Sequence, residues 1–275
     1  MKNTQQDMDV WADWPLILAY HSVSEERKDG LAVRPADFER QMRWLASHGY
    51  RSITLAEHLR RPARRGEKVV IITFDDGYAD TYTQAFPILR RYGFTAVVFL
   101  VTSYVGREHV FWWDEEKVNV YGRRSLYYPL TWEQAGELLD CGMELGSHTS
   151  THPPALTRLE PGRCWDEIAA SKLRLERQLG VEVSSFCYPR GDLDPAVVKM
   201  VEAAGYRGAV VTPPRYGIPL SRYTLRRISL YREYTPLHFR LMTSPFFRRN
   251  YESFKRLRRL LMPWIAARSP GSSPA

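Results

Sequence analysis

The chain has 275 residues, enough for one large domain or two small ones with a sizeable hydrophobic core. Hydrophobic residues make up 44% and charged residues 25%, as is ordinary for a soluble globular protein, and no apolar run approaches the roughly 20 residues that span a bilayer. The net charge is +8, but the segment 240–268 contributes +7 of it, which excludes a basic nucleic-acid-binding face across the whole fold.

The first 14 residues are polar, include acids and lack the apolar centre of a signal peptide. We therefore expect an N-terminal extension over residues 1–14, a single domain over 15–245, and a chain that remains in the cytoplasm. The three cysteines lack metal-site spacing and are expected to be reduced and mostly buried: Cys141, Cys164 and Cys187.

Between residues 16 and 230, short β-branched or aromatic runs alternate with helical patterns. The eight predicted strands are 16–20, 52–55, 69–74, 95–101, 144–147, 184–188, 208–212 and 224–230. The helical patterns repeatedly end in a glycine before an apolar or aromatic residue, which fits a left-handed C-terminal cap. These glycines are Gly49, Gly93, Gly142, Gly180 and Gly205.

The strands are nearly continuous apolar runs, as expected when helices cover both faces of a parallel sheet. Seven or eight strand–helix units in one domain favour a closed barrel over an open doubly wound sheet. No glycine-rich phosphate loop follows the first strand, which weakens the dinucleotide-binding alternative. The predicted fold class is therefore α/β, a (β/α) barrel of about seven to eight strands.

Three helix starts carry capping patterns. The first predicted helix begins near Pro35, and another begins at Thr131, where Gln134 three residues later completes a capping box. A third has Asp194 at the cap and Pro195 at the first helical position. The connection 103–130, by contrast, is long and rich in aromatic residues, which indicates a segment that serves a site.

Two adjacent carboxylates, Asp75 and Asp76, directly follow the predicted strand 69–74. Such a pair at the carboxyl end of a buried strand is costly unless a cation binds it, and barrel enzymes place their sites at this end. Neighbouring side chains point in different directions, so one Asp can hold a metal while the other faces a substrate. A solvated pair that caps the next helix is an equally good interpretation of this pair alone.

A second cluster favours the metal. His148 and His152 follow the predicted strand 144–147, and three residues separate them, a spacing that lets both imidazoles face one cation. Pro153 and Pro154 forbid a long helix beyond them, so a loop at the strand end is expected.

These motifs resemble those of the polysaccharide deacetylases, the NodB-homology group of carbohydrate esterases. The two metal motifs are residues 73–77 (Thr-Phe-Asp-Asp-Gly) and 148–152 (His-Thr-Ser-Thr-His), and weaker similarities lie at 19–23, 131–132 and 186–191. The resemblance covers about residues 16–230. It implies a distorted (β/α) barrel and an enzyme that removes an N-acetyl group from a sugar of a polysaccharide or glycoconjugate.

The resemblance also implies roles for individual residues. Asp76, His148 and His152 would bind a divalent metal, most naturally Zn²⁺, with Co²⁺, Ni²⁺ or Mn²⁺ as alternatives. Asp75 would be the general base that accepts a proton from the attacking water. The oxyanion would be held by the metal and by the backbone N–H of Tyr188, within the motif that includes Pro189.

The sequence departs from the family pattern at two positions. Many members carry an arginine in the third motif that orients the base; here Cys187 precedes Tyr188 and Pro189, and Arg227 is the candidate substitute. The usual late histidine that acts as general acid is not evident. His21, at the end of the first strand, is preferred to His238 for this role, although a scaffold role for His21 remains open.

Trp112 and Trp113 in the aromatic connection are candidates for platforms under the apolar face of a sugar, or they pack that segment onto the barrel. Two rival functions retain the fold: hydrolysis of a non-sugar cyclic amide, and glycan binding without catalysis. Asp75 argues against the second, because a pure binding module needs no carboxylate beside the ligand. The chain has no recognisable nucleic-acid-binding module.

The C-terminal region is predicted as a basic amphipathic helix over 246–268, followed by a disordered tail over 269–275. Such a helix can lie on an anionic membrane surface or pack on the barrel with its basic face solvated, and both interpretations stay open. The expected partners are accordingly an N-acetylated glycan or lipid-linked sugar and, through this helix, the inner face of a membrane.

Overall fold

The computed structural model describes residues 15–64, 66–212, 219–248 and 250. Its main sheet is parallel and runs in the order β10-β9-β8-β7-β6-β5-β1-β11, with β4 paired to the start of β5. The strands are β1 Leu16–Tyr20, β4 Arg51–Ser52, β5 Val69–Phe74, β6 Val97–Leu100, β7 Glu144–Ser147, β8 Ser185–Cys187, β9 Gly208–Val211, β10 Leu225–Arg226 and β11 Ile228–Ser229. Two short strands, β2 Ser22–Val23 and β3 Ala32–Val33, form a separate pair. The predicted α/β barrel is confirmed.

The last predicted strand, 224–230, is split in two. Leu225 pairs with Val210 of β9, whereas Ile228 pairs with Leu18 of β1, at the opposite end of the sheet order. Strand β10 and strand β11 therefore nearly close the sheet into a barrel, and Arg227 is the residue between them.

Besides the helical residues 245–248, eight α-helices of the described residues surround this sheet. They are α1 Pro35–Ser47, α2 Leu55–Arg60, α3 Phe86–Arg91, α4 Glu115–Tyr121, α5 Trp132–Asp140, α6 Pro161–Leu179, α7 Pro195–Ala203 and α8 Pro236–Thr243. The capping box of Thr131 and Gln134 and the Asp194 cap are both formed as predicted. All five predicted cap glycines have φ between 65° and 85°. This backbone conformation is unfavourable for residues that have a Cβ atom.

The strands bury both faces, and alternate residues belong to different clusters. Ile17 and Ile71 belong to the cluster that fills the barrel interior, together with Phe99 and Cys187. Their neighbours Leu18 and Ile72 belong to the larger cluster between the sheet and the helices. This period of two explains the continuous apolar runs in the sequence, and it places Phe99 and Cys187 directly beneath the carboxyl ends of the strands.

The segment 103–130 carries α4 and two short 3₁₀ turns, Trp112–Asp114 and Arg124–Tyr127. Arg27, which is 1% exposed, lies between the rings of Tyr78 and Tyr127, with its guanidinium carbon 4.2 and 4.3 Å from the ring centres. Tyr78 in turn donates a 2.5 Å hydrogen bond to buried Asp114. These contacts fasten the segment to the turn that follows β5.

The predicted extension 1–14 and all but the first few residues of the predicted helix 246–268 lie outside the described residues, as does the tail 269–275. In the part of the chain that the structure describes, no helix combines the length and apolar character needed to cross a bilayer.

Candidate metal centre

The turn after β5 separates the two adjacent carboxylates. The Asp75 backbone N–H donates to the Tyr20 carbonyl at 2.9 Å and so continues the strand pairing, while Asp76 adopts a left-handed backbone with φ of 70°. Gly77 is also left-handed, at φ 77°, and a Cβ there would collide with Leu100. A side chain at this position would have to displace the end of the Leu100 side chain and adopt an unfavourable positive φ, so glycine is preferred. The turn therefore directs Asp75 and Asp76 to different sides of the barrel mouth.

The loop after β7 brings two imidazoles to the same mouth. His148 is held by its backbone N–H, which donates to the Leu100 carbonyl at 2.9 Å, and its Nδ1 lies 2.8 Å from the Cys187 carbonyl. A hydrogen bond from Nδ1 leaves Nε2 free as a ligand. Thr149 and His152 are left-handed, with φ of 69° and 56°, and the Thr149 hydroxyl accepts the His152 N–H at 3.0 Å. The loop therefore folds back so that His152 faces His148.

Asp76, His148 and His152 fit a divalent metal. Asp76 Oδ1 lies 3.6 Å from His148 Nε2 and 3.8 Å from His152 Nε2, and it is buried with no hydrogen-bond partner among the described residues. With metal–ligand bonds of about 2.0–2.2 Å, a tetrahedral site separates its ligand atoms by roughly 3.3–3.6 Å. The three groups need to move only slightly to close on one ion.

The electrostatics of the three groups agree with this fit. Burial lowers the pKa of both His148 and His152, so the imidazoles are neutral and able to act as ligands. Burial, together with the charges of Asp75 and Asp114, raises the pKa of Asp76 well above its ordinary value. A bound cation removes that penalty, because it stabilises the ionised carboxylate.

Asp75 is paired with an arginine. Its two carboxylate oxygens each accept a 2.7 Å hydrogen bond from Arg227, which also donates 2.8 Å bonds to the hydroxyls of Thr73 and Thr212. Burial alone would raise the pKa of Asp75, but the Arg227 charge and hydrogen bonds outweigh it and hold the pKa well below its usual range. Asp75 is thus fixed as an oriented, ionised carboxylate.

Cys187 occupies the space between this ion pair and the barrel interior. Its Sγ lies 3.0 Å from Arg227 Nη2 and 3.6 Å from Asp75 Oδ1. The small thiol leaves room for a guanidinium that enters from the β10–β11 junction. Asp75, His148 and Cys187 also lie close enough to bind a metal, but burial raises the pKa of Cys187 and Arg227 occupies Asp75, so the Asp76 group is the better site.

The two candidate acids lie in different places. His21 lines the barrel mouth with its Nε2 3.9 Å from Asp75 Oδ2, and burial lowers its pKa to about 4 despite the nearby carboxylate. His238 is exposed in the first turn of α8, where its ring nitrogen lies 3.1 Å from the Thr235 hydroxyl as part of a capping box. The structure gives His238 a capping role and leaves His21 as the histidine beside the base.

Four residues are predicted to contact the substrate, and the structure places only some of them at the cavity. Trp113 lies against His152, with ring centres 4.2 Å apart, and Trp112 lies at the rim, 42% exposed, where its Nε1 donates to the His152 carbonyl at 3.2 Å. Pro189, by contrast, is buried in a turn and does not line the cavity. Tyr188 borders it, but its side chain packs against Phe186 in the cluster between the sheet and the helices, and its N–H donates to the Val210 carbonyl at 3.3 Å. Sheet pairing with β9 therefore contradicts the predicted oxyanion role of this N–H.

The carboxylates and histidines line one cavity of about 270 Å³. Sequence reasoning did not assign a role to several of its other lining residues, among them Leu31, Arg190, Thr212, Ser229 and Tyr231. Most of them lie at or just after the end of a strand. This position is the sequence feature from which their place at the cavity could have been predicted. A larger cavity of about 440 Å³ between α1 and α8 is lined, within the described part of the chain, by one carboxylate, Asp37, and by no comparable metal group.

Comparison with known proteins gives a consistent result. The sequence profile of the polysaccharide deacetylases matches residues 63–209. Bacillus subtilis YxkH, which carries a provisional polysaccharide deacetylase name, is 33% identical over 72% of this chain and 64% of its own length. The Escherichia coli K12 poly-β-1,6-N-acetyl-D-glucosamine N-deacetylase is 34% identical over 50% of this chain and 21% of its own length. The chain thus spans less than two thirds of either curated relative.

Among solved structures, the Streptococcus pyogenes deacetylase PplD in complex with acetate is similar over 84% of this chain and 98% of that one, with a TM-score of 0.67 and 25% identity. The name of the Escherichia coli relative gives poly-β-1,6-N-acetyl-D-glucosamine as the substrate of that protein.

Proposed function

The chain belongs to the polysaccharide deacetylase family, and on this basis we propose that it is a metal-dependent hydrolase that removes the N-acetyl group from an N-acetylated sugar. The observation that supports this proposal most strongly is that one cavity contains both a candidate metal-binding group and a separate, oriented carboxylate. A metal-binding group of Asp76, His148 and His152 faces an oriented carboxylate, Asp75, that the metal group does not need. A non-catalytic binding module has no use for that second carboxylate.

Asp76, His148 and His152 would hold a divalent metal, and the bound ion would lower the pKa of a water molecule and polarise the acetamide carbonyl. Two imidazoles and one carboxylate with open positions suit Zn²⁺, which we propose as the ion, with Co²⁺, Ni²⁺ or Mn²⁺ as alternatives. Zinc content and metal-dependent activity of the purified protein test this assignment directly.

Asp75 accepts the proton that the attacking water loses. Because Arg227 keeps the pKa of Asp75 low, this carboxyl group does not retain the proton and is able to pass it on. His21 Nε2 lies 3.9 Å from Asp75 Oδ2, within reach of a small adjustment or one water molecule. With its pKa lowered to about 4, His21 is neutral at rest, and it protonates the departing amine only after it receives a proton during the reaction.

The substrate that we propose is a glycan rich in N-acetylglucosamine, either polymeric or lipid-linked. The E. coli relative supports this proposal, because its name gives poly-β-1,6-N-acetyl-D-glucosamine as substrate. The direct experiment measures acetate release from N-acetylglucosamine oligomers of different linkages and from lipid-linked N-acetyl sugars, with and without chelator. We expect chelator-sensitive release from at least one oligomer. Release that chelator does not affect, or no release from any of these glycans by metal-loaded protein, contradicts the proposal.

We also propose that the enzyme acts in the cytoplasm, at the inner face of a membrane. Three apolar side chains on α8 and just after it are exposed: Leu237 at 74%, Leu241 at 49% and Phe246 at 64%. The surrounding sequence 240–268 has eight basic residues and one acid, and each basic residue near anionic lipid contributes about 1 kcal/mol. Apolar insertion and charge attraction would act together there.

Vesicle flotation tests this partner. We expect the full chain to float with anionic vesicles at low salt and much less with zwitterionic vesicles. A chain that ends before Phe254 removes most of the basic residues, and Leu237→Ser with Leu241→Ser removes the apolar pair. Leu173→Ser, at an exposed leucine of α6, is the matched control. Equal flotation of all variants, or none by the full chain, contradicts the membrane proposal.

A further inference from the structure

Arg190 is held at the mouth of the metal cavity by an unusual turn. The turn Pro189–Gly191 follows β8, and Arg190 is left-handed with φ of 54°. Gly191 is left-handed too, and a Cβ there would lie 2.5 Å from the Thr212 carbonyl oxygen at the end of β9. Left-handed backbone is unfavourable for arginine, so the turn needs support from the surrounding structure. The close packing of Gly191 against the end of β9 provides this support. The exposed Arg190 side chain lines the same cavity as the metal ligands.

The charge of Arg190 is not neutralised by the protein around it. Two acids line the cavity: Asp75 is paired with Arg227, and Asp76 faces the two histidines. Among the described residues, no acidic side chain forms an ion pair or hydrogen bond with the Arg190 guanidinium. A bound divalent cation would add further positive charge. The cavity mouth is thus positive on the side of Arg190, although its deepest part contains two carboxylates.

Trp112 lies beside this charge with a fixed orientation. The Arg190 guanidinium carbon is 5.4 Å from the centre of the Trp112 ring, whose Nε1 donates a hydrogen bond to the backbone of His152. Trp112 is 42% exposed and does not line the inner cavity, so its free face lies outside the position of the reacting sugar. An aromatic face beside a free guanidinium suits a sugar that carries an anionic group.

We propose that Trp112 and Arg190 form a subsite for a sugar next to the acetylated one, and that this neighbouring sugar carries an anionic group, a carboxylate or a phosphate ester. The inference rests on the proposed deacetylase function. Trp112 contacts the apolar face of the sugar, and Arg190 binds the anion. The same charge disfavours a neighbour that carries a protonated amine, so the enzyme slows when the adjacent sugar is already deacetylated.

The test compares three oligosaccharides that share the reacting N-acetylglucosamine. The first is neutral, the second alternates with glucuronic acid or carries phosphate esters, and the third alternates with glucosamine. For the wild type, kcat/KM for acetate release should fall in the order anionic, neutral, cationic. In Arg190→Gln the anionic advantage should fall by about fivefold, mainly through KM, because one exposed charge pair is lost. The loss on the neutral substrate should be smaller than the loss on the anionic one.

Two further variants separate charge recognition from folding. Arg190→Lys keeps the charge and should keep most of the anionic preference. Arg60→Gln removes an exposed arginine at the end of α2, away from the cavity, and should leave the order unchanged. Added salt should weaken the anionic preference of the wild type and leave Arg190→Gln nearly unaffected. The carboxylate and phosphate substrates, compared separately, identify which anion fits.

An equal loss by Arg190→Gln on all three substrates, or no anionic preference in the wild type, overturns the subsite. Failure of the proposed function has a different signature, which is no acetate from any substrate with metal-loaded protein. Calorimetric binding of the same oligosaccharides distinguishes the cases. The subsite still requires tighter binding of the anionic oligosaccharide by the wild type than by Arg190→Gln, and equal affinities overturn it.

Discussion

On one side of the cavity, Asp75 and Arg227 are joined by two 2.7 Å hydrogen bonds; on the other, Asp76 Oδ1 is equally buried and accepts no hydrogen bond. We call the first the base side, comprising His21, Asp75, Cys187 and Arg227, and the second the metal side, comprising Asp76, His148 and His152. Buried polar groups are normally satisfied, so an unsatisfied carboxylate oxygen beside two neutral imidazoles indicates a site for a cation. The Asp75–Arg227 pair is satisfied without a ligand, whereas the metal side needs one.

The largest expected effect comes from the metal side. His148→Ala removes one of three ligands, and most of the bound metal should be lost from the purified protein, together with acetate release. Elemental analysis measures the first effect and an acetate assay the second. His58→Ala, at a buried histidine of α2 outside the cavity, is the control and should keep its metal. Unchanged metal content in His148→Ala rules the ligand assignment out.

The next effect comes from the base side and should leave the metal in place. Asp75→Asn keeps the shape of the side chain and removes its ability to accept a proton. Acetate release should fall by about 10²–10⁴-fold with metal content unchanged. Near-wild-type turnover would show that Asp75 is not the base, and loss of metal from this variant would make Asp75 a ligand and erase the distinction between the two sides.

Arg227→Met tests how the base side keeps its charge. Breaking a buried pair of this kind costs about 3–5 kcal/mol of stability. With Arg227 present, the pKa of Asp75 in the folded protein lies below its value in the unfolded chain. The ion pair therefore contributes its full stabilisation at any pH above the unfolded pKa. This contribution is lost as the pH falls through the folded pKa. Without Arg227, burial raises the pKa of Asp75, and the acid limb of the pH–activity profile should move to higher pH.

The comparison for this variant is Arg227→Lys, which keeps a positive charge but forms no bidentate pair. It should fold more stably than Arg227→Met and show a smaller shift of the acid limb. A pH–activity profile of Arg227→Met that superimposes on the wild type would mean that Arg227 is structural only.

The smallest effect concerns Cys187. Cys187→Ser retains a small side chain beside Arg227 and should change activity by less than about tenfold, whereas Cys187→Leu adds volume at a buried position and should destabilise the fold by about 1–3 kcal/mol. Thermal unfolding and acetate release measure the two effects. If Cys187→Leu were as stable and active as Cys187→Ser, then the size of this residue would not decide where Arg227 lies.

The sequence predicted those features that depend on local patterns. Most strand positions, the caps at Thr131 and Asp194, and the glycine turns follow from periodicity and backbone conformation, and the structure confirms them. The predicted strand 52–55 is the exception, because β4 ends at Ser52 and α2 begins at Leu55 with Thr54 as its cap. The metal side followed from two short motifs at strand ends. The resemblance to a known family implied that Asp76, His148 and His152 bind a metal, and the structure brings these three residues together.

Features that depend on contacts across the barrel could not be predicted in the same way. The split of the last strand at Arg227 depends on pairing with both β9 and β1, which no local pattern encodes. The Tyr188 N–H is used by β9, and Pro189 is buried by a turn that rests on Thr212. The position of Arg190 depends on that same turn, and the similarity over residues 186–191 alone indicated no role for its side chain.

The most direct test of the two-sided account is anomalous diffraction at the zinc absorption edge from crystals of the zinc-loaded protein. The account predicts one strong peak at the barrel mouth, about 2.0–2.2 Å from Asp76, His148 Nε2 and His152 Nε2, with Asp75 still bound to Arg227. A peak bound by Asp75 and Cys187, or no peak at the barrel mouth, would contradict it.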